Sequence, residues 1–332
     1  MRITYSRIEL QNLKTASKQK YQEVVQTLMN KLANGEELSL AESRFICLGL
    51  KNTYSDDPSA PKIDAENFTQ CSDFIFLSKY LLYWQDLEGW GQINNFGQIM
   101  PVDQKIKDVS YLEQHYRDWK AIVNNNRSSS ELLQYLAIEI TRLVKEVLVY
   151  CRSIGDGSNR ISYIEKSLIL FSKYVYYQVK EYYQEIGKIE ETIEVCGIWI
   201  VINQFAYVHI LLGHFAQDIK YKRPGKTYHR TNIVDFKNIP KDIITILNGY
   251  KNNVDCVHFD KQKIFFNLKG NDHAIWFRAM TRSLKGQKQE EYLRVQTFYP
   301  VELQDDLDKI KRMKSVIVND KLTFYVNPIN AN

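Results

Sequence analysis

Hydrophobic periodicity in this chain changes character near residue 190, and that change limits the folds open to it. Upstream, apolar residues recur at three- and four-residue intervals over long stretches, the spacing of amphipathic helices. The pattern predicts helices over 8–32, 65–84, 103–123, 129–153 and 160–186, and Ser39 with Glu42 reads as the capping-box start of another. Loops separate them over 52–62, around Gly89, Gly91 and Gly97, and at Gly155-Asp156-Gly157-Ser158. Downstream, short runs rich in β-branched and aromatic residues alternate with turn signals. Strands are expected over 255–259, 262–268, 273–281 and 292–299, with a hairpin of 316–318 and 322–326 across Asn319-Asp320. Helices are expected over 203–219, from Pro240 to Gly249, and from Leu303. Residues 192–202 fit a strand or the start of a buried helix, which periodicity does not separate. The expected class is α+β. An all-α helical bundle over 1–189 is followed, over 190–332, by a small domain with helices packed on an antiparallel sheet.

A chain of 332 residues is long enough for two such domains, and 44% hydrophobic with 25% charged residues is ordinary for a globular protein. No run of about eighteen apolar residues is present, and Met1-Arg-Ile-Thr-Tyr does not open a signal peptide. The five cysteines (Cys47, Cys71, Cys151, Cys196, Cys256) are odd in number and form no C-x-x-C pair. Free thiols, a reducing compartment, a cytoplasmic location and no membrane partner are therefore expected.

Charge divides along the same line. Residues 203–332 hold 21 Lys+Arg against 13 Asp+Glu, and the remaining 202 residues hold 23 against 26. A localised basic surplus points to an anionic partner, nucleic acid above all, or more plainly to a solvated face. Five of the six histidines lie between 209 and 273. Imidazole is the side chain that exchanges protons near neutral pH. Histidine among cations is thus the composition of a site that handles phosphate.

His209-Ile-Leu-Leu-Gly-His214 is the sharpest local motif. On a helix its two histidines are about 140° apart, which does not suit paired zinc ligands. A tetrahedral zinc set would need Cys256 and His258 as well, and the plainer reading is a histidine satisfied at a helix end. Further on, Trp276-Phe-Arg278 and Leu293-Arg-Val-Gln-Thr297-Phe-Tyr299-Pro300 read as paired strands. Alternation puts Leu293, Val295, Thr297 and Tyr299 on one face. An arginine in mid-strand needs a partner if buried, and guanidinium grips phosphate well. Strand propensity alone also accounts for Thr and Tyr.

These motifs resemble the phage-associated members of the barnase/EndoU/colicin/RelE-like nuclease superfamily. Their domain begins with a helix carrying His-x-Leu-Leu-Gly, here His209–Gly213, and ends on strands with an arginine and a Thr-Phe-Tyr-Pro-like run, here Arg278 and Thr297–Pro300. The resemblance covers residues 190–302. It implies an endoribonuclease, a toxin or phage-defence effector, that cuts tRNA, rRNA or mRNA without a metal or other cofactor.

In such cleavage a base takes the ribose 2′-hydroxyl proton, an acid protonates the leaving 5′-oxygen, and cations offset charge on the phosphorane. His209 is assigned as base or acid, His214 or His229 as its counterpart, and Arg278 as the phosphate clamp supported by Thr297 and Tyr299. Lys222, Arg223, Lys226 and Arg230 would hold the strand, with Tyr228 and Trp276 stacking on unpaired bases. His258 and His273 are assigned structural roles. The helical region would dock, sense or restrain through a protein partner. The competing expectation is a non-catalytic module that binds RNA or protein.

Overall fold

The computed structural model describes residues 5–13, 17–33, 42, 102–124, 130–155, 158–214, 227–229, 233–283 and 289–328. The expected helix 65–84, the loops 52–62 and 87–101, the Ser39 cap, and Lys222, Arg223, Lys226 and Arg230 lie outside these residues. The helices are α1 (Arg7–Asn12), α2 (Lys18–Ala33), α3 (Val102–Val123), α4 (Glu131–Ser153) and α5 (Ser158–Glu185), then α6 (Gln204–His214), α7 (Ile239–Asn253) and α8 (Gln304–Ile310). The strands are β1 (Glu190–Val195), β2 (Ile198–Asn203), β3 (Lys263–Leu268), β4 (Asn271–Ser283), β5 (Gln289–Pro300), β6 (Lys314–Asn319) and β7 (Leu322–Val326). No helix among the described residues is long and apolar enough to cross a membrane.

The chain forms two compact units. One comprises residues 1–128, 140–178 and 218–221; the other comprises 129–139, 179–217 and 222–332. Helices α4 and α5 each contribute to both. In the first unit the buried stripes follow helical spacing: Leu143, Val147 and Cys151 on α4, Leu168, Phe171 and Val175 on α5, Trp119 and Val123 on α3. The Trp119 indole donates to the Ser172 hydroxyl at 2.8 Å, which satisfies its one polar atom.

The second unit is built on one seven-stranded sheet, ordered β1-β2-β5-β4-β3-β7-β6. It is mixed, not antiparallel as expected, because β2 pairs with β5 in parallel at Ile200↔Leu293 and Val201↔Arg294. Pairing between strands so distant in sequence leaves no trace in local periodicity. The open question over 192–202 resolves as the β1–β2 hairpin. Its two turn residues, Cys196 and Gly197, have φ of 52° and 75°, the type I′ geometry that matches strand twist.

Apolar side chains cover both faces. On one, α7 lays down Ile243, Ile246, Leu247 and Tyr250, and Tyr250 packs edge-on to Phe324 at 5.0 Å. The approach is close: a Cβ on Gly249 of α7 would meet Leu322 at 3.0 Å. Phe324 lies opposite Phe266, which lies opposite His273. The other face carries Phe265, Ala274, Tyr299 and Tyr325 beneath Leu307 and Ile310 of α8.

Residues 255–259, expected as a strand, instead form a 3-10 turn over Cys256–His258, where the Asp255 carboxylate accepts from the Val257 amide. That turn brings Cys256 to Cys196, and the two are joined by a disulfide with Cα atoms 5.3 Å apart. This corrects the expectation of free thiols and removes the cysteine argument for a reducing compartment; Cys151 is buried and lies outside the disulfide. The bridge closes a loop of 60 residues. Its reduction is expected to cost about 2–4 kcal/mol of stability through the entropy restored to the unfolded chain. Urea unfolding with and without reductant, against Cys256→Ser as control, measures this.

Candidate active site along α6 and β5

Asn203 ends β2 and its side chain accepts from the Ala206 amide at 3.2 Å, so the strand turns straight into α6. Alongside β5 the helix takes over where the strand leaves off. Most of α6 is buried, from Ala206 to Val208 and from Ile210 to His214, while Phe205 and His209 stay partly open. These two are four residues apart, share a helix face, and stack with ring centres 6.0 Å apart.

Nδ1 of His209 lies 3.0 Å from a carboxylate oxygen of Glu139, on the α4 segment that belongs to the same unit. A carboxylate accepts only, so Nδ1 donates and Nε2 carries the lone pair. Glu139 is 3% exposed. Nothing in the sequence reading selected it, yet a signal was there. Leu132, Leu136, Ile140, Leu143 and Val147 make the apolar stripe of α4, and Glu139 interrupts that stripe with a charge. A carboxylate in such a position needs a partner.

Across from α6, β5 carries Arg294, also passed over by the sequence reading. Its guanidinium sits 4.2 Å from the Phe205 ring centre. With the Phe205–His209 stack this bounds the guanidinium-to-imidazole separation at about 10 Å. Arg278 of β4 is the direct cross-strand partner of Arg294. Arg278 is exposed, not buried in mid-strand. Burial first, then the Arg278 charge, holds the Arg294 guanidinium below its usual range. One Arg294 nitrogen, Nε, is buried with no hydrogen-bond partner among the described residues, and Nη2 donates to Gln296 at 3.1 Å. Opposed like charges on adjacent strands destabilise a sheet. Such a pair is the arrangement an anion would relieve.

Strict alternation of Leu293, Val295, Thr297 and Tyr299 does not hold. The register moves from Trp276↔Thr297 to Phe277↔Val295, a bulge that leaves Gln296 extra. Thr297 is buried and its hydroxyl has no partner. The Tyr299 hydroxyl donates to Asp306 at 3.1 Å, and burial with that carboxylate raises its ionisation above the usual phenol range.

The histidines form a row running inward. His209 meets His214 edge-on with centres 6.2 Å apart, His214 meets His229 at 6.2 Å, and His229 stacks on His273 at 5.5 Å. His214 also stacks on Tyr299 at 5.7 Å and donates from Nδ1 to the Thr227 carbonyl at 2.8 Å. His229 donates from Nε2 to the Phe298 carbonyl at 2.9 Å and is 3% exposed, which withdraws it from contact with a polymer. Tyr228 is 6% exposed, so its ring is a core ring and not a base platform. His258 bonds the Asn327 carbonyl at 2.9 Å, away from this row. Cys256 is spent in the disulfide, which dismantles the zinc set; no group of three or more His, Cys, Asp or Glu among the described residues is arranged to hold a metal.

Burial holds His229 well below the ordinary histidine range and pushes His273 down to about 4. A base whose folded pKa is depressed stabilises the fold above its unfolded value of about 6.5, and that contribution is lost as pH falls toward the folded value. The wild type is therefore expected to lose about 3 kcal/mol more than His273→Phe between pH 7 and pH 4. Urea midpoints at the two pH values read this directly; parallel curves for both proteins would contradict it.

Comparison of the chain with protein families, with characterised proteins and with solved structures finds no match.

Proposed function

We propose that the chain is an endoribonuclease that cuts RNA by attack of a ribose 2′-hydroxyl on the adjacent phosphate. The observation that carries this reading is the pairing of a carboxylate-held imidazole, Glu139–His209, with two opposed arginines across Phe205. Nε2 of His209 takes the 2′-hydroxyl proton. The 2′-oxygen bonds to phosphorus, charge accumulates on the phosphorane oxygens, and Arg294 and Arg278 offset it. The 5′-oxygen leaves with a proton taken from solvent; His214, the expected counterpart, is as buried as Tyr228 and its Nδ1 is held on the Thr227 carbonyl. Thr297 supplies a spare hydroxyl beside the same strand. All these groups come from the chain itself, so the reading needs no metal. The likeness of His209–Gly213 and Thr297–Pro300 to the barnase/EndoU/RelE-like nucleases supports it from a separate direction, as does the basic surplus of residues 203–332. An effector role as a toxin or in phage defence, with the helical region restraining or targeting it, belongs to the same proposal.

End-labelled unpaired RNA incubated with the purified chain in excess chelator tests this. Fragments ending in a 2′,3′-cyclic phosphate and a 5′-hydroxyl are expected. RNA that is retained on the protein but stays intact would favour a binding module instead.

A further inference from the structure

The face of β4 and β5 that holds the arginine pair, on which Trp276 and Arg278 are exposed, carries a second pattern. Alternation along β4 puts Trp276, Arg278, Met280 and Arg282 on one face. The register sets them against Thr297, Arg294, Tyr292 and Glu290 of β5. Trp276 is 46% exposed. Tyr292 is half-buried under Arg282, whose guanidinium lies 5.6 Å from its ring centre. Arg282 is already held by Glu290 at 2.7 Å and reaches Glu190 at 4.0 Å. Among the described residues neither Arg278 nor Arg294 is paired with a carboxylate. The order along the face is thus ring, unpaired cations, ring, then a closed ion cluster.

Resting on the nuclease reading above, we infer that this face takes unpaired RNA as a splayed two-base step. One base stacks on Trp276, the next on Tyr292, and the phosphate between them lies on Arg278 and Arg294, where it is cut. Four residues of strand separate Trp276 from Met280, the partner of Tyr292, about 13 Å. A stacked helical step places successive bases only about 3.4 Å apart on a strand, so it cannot reach both rings. A base held in a duplex cannot splay, and duplex RNA is excluded. Rings accept any base, since every base has a π-face. Beyond Tyr292 the carboxylates of Glu290 and Glu190 repel a following phosphate, which fixes the register of the strand at two bases.

The test uses the full chain carrying His209→Ala, so that bound RNA is not cut, with a fluorescein-labelled ten-nucleotide unpaired RNA and the same sequence in a duplex. Anisotropy is expected to give at least about tenfold tighter binding to the single strand. Trp276→Ala and Tyr292→Ala should each weaken it by about 5- to 100-fold, with Trp276→Phe and Tyr292→Phe largely restoring it. Arg278→Gln should lower the slope of log affinity against log salt by about 0.7. Equal affinity for the duplex, indifference to loss of both rings, or binding to neither RNA overturns the inference. The two readings fail separately. Binding that depends on both rings, with no cutting by the wild type, keeps the platform and removes the nuclease. Cutting that ignores both rings keeps the nuclease and removes the platform. Trp276 is exposed, so its variants report even where a Tyr292 variant unfolds.

Discussion

His209→Ala is expected to slow RNA cleavage by about 100- to 10,000-fold, the usual contribution of a positioned general base or acid. Alanine leaves no atom to take the 2′-hydroxyl proton. The same change takes a partner from Glu139, a carboxylate 3% exposed. Stability should therefore fall by about 1–3 kcal/mol, the cost of depriving a buried polar group of a hydrogen bond. Rates are accordingly compared per folded molecule, with urea midpoints taken on the same preparations. Glu139→Gln tests the positioning role apart from the chemistry. Glutamine retains an acceptor oxygen but not the charge, so the ring stays oriented while the charge-assisted hydrogen bond is lost, and cleavage should drop by roughly tenfold. Glu139→Gln added to His209→Ala should cost nothing more, since the two act as one unit. Cleavage by His209→Ala at the wild-type rate would remove the imidazole from the mechanism.

The second large effect concerns the arginine pair, where activity and stability should move in opposite directions. Arg294→Met is expected to lower kcat by about 100- to 1,000-fold, the loss seen when a fixed donor to a developing anion is removed. The free protein should be unharmed or more stable by up to about 1 kcal/mol, because methionine fills the space over Phe205 without a buried, unpartnered Nε. Arg278→Gln should act the same way with a smaller effect on rate, since Arg278 is exposed, and should relieve the cross-strand repulsion by a few tenths of a kcal/mol. A residue retained only for structure does not behave like this: its loss lowers stability, and activity follows. If both variants melt lower than the wild type and retain full kcat, the arginines are structural.

The sequence made the helix-to-strand transition legible because it is written in local spacing. Apolar residues three and four apart marked α3, α4 and α5, and β-branched runs between turn signals marked β3, β4, β5 and β7. The β2–β5 pairing was not legible, since it joins Ile200 to Leu293 across a stretch that contains α6, α7, β3 and β4. Residues 255–259 misled because Val257 and Phe259 alternate like a strand, while the Asp255 carboxylate captures the Val257 amide and winds the segment into a turn. At the site, His209, His214, Thr297 and Tyr299 could be selected because short motifs surround them. Arg294 was overlooked for Arg278, as burial decides which arginine lies against α6 and burial was not readable through the bulge at Gln296. Glu139 lies 70 residues before its partner. Only its place on an otherwise apolar stripe could have betrayed it.

If the chain cuts RNA as proposed, His209 and the two arginines act on one phosphate. A crystal structure of the chain with a short RNA blocked by 2′-O-methyl groups measures this most directly. A phosphate gripped by Arg294 and Arg278 is expected, with the adjacent 2′-oxygen about 3 Å from Nε2 of His209. RNA seated on another surface, or a phosphate on the arginines whose 2′-oxygen is turned away from His209, would contradict it.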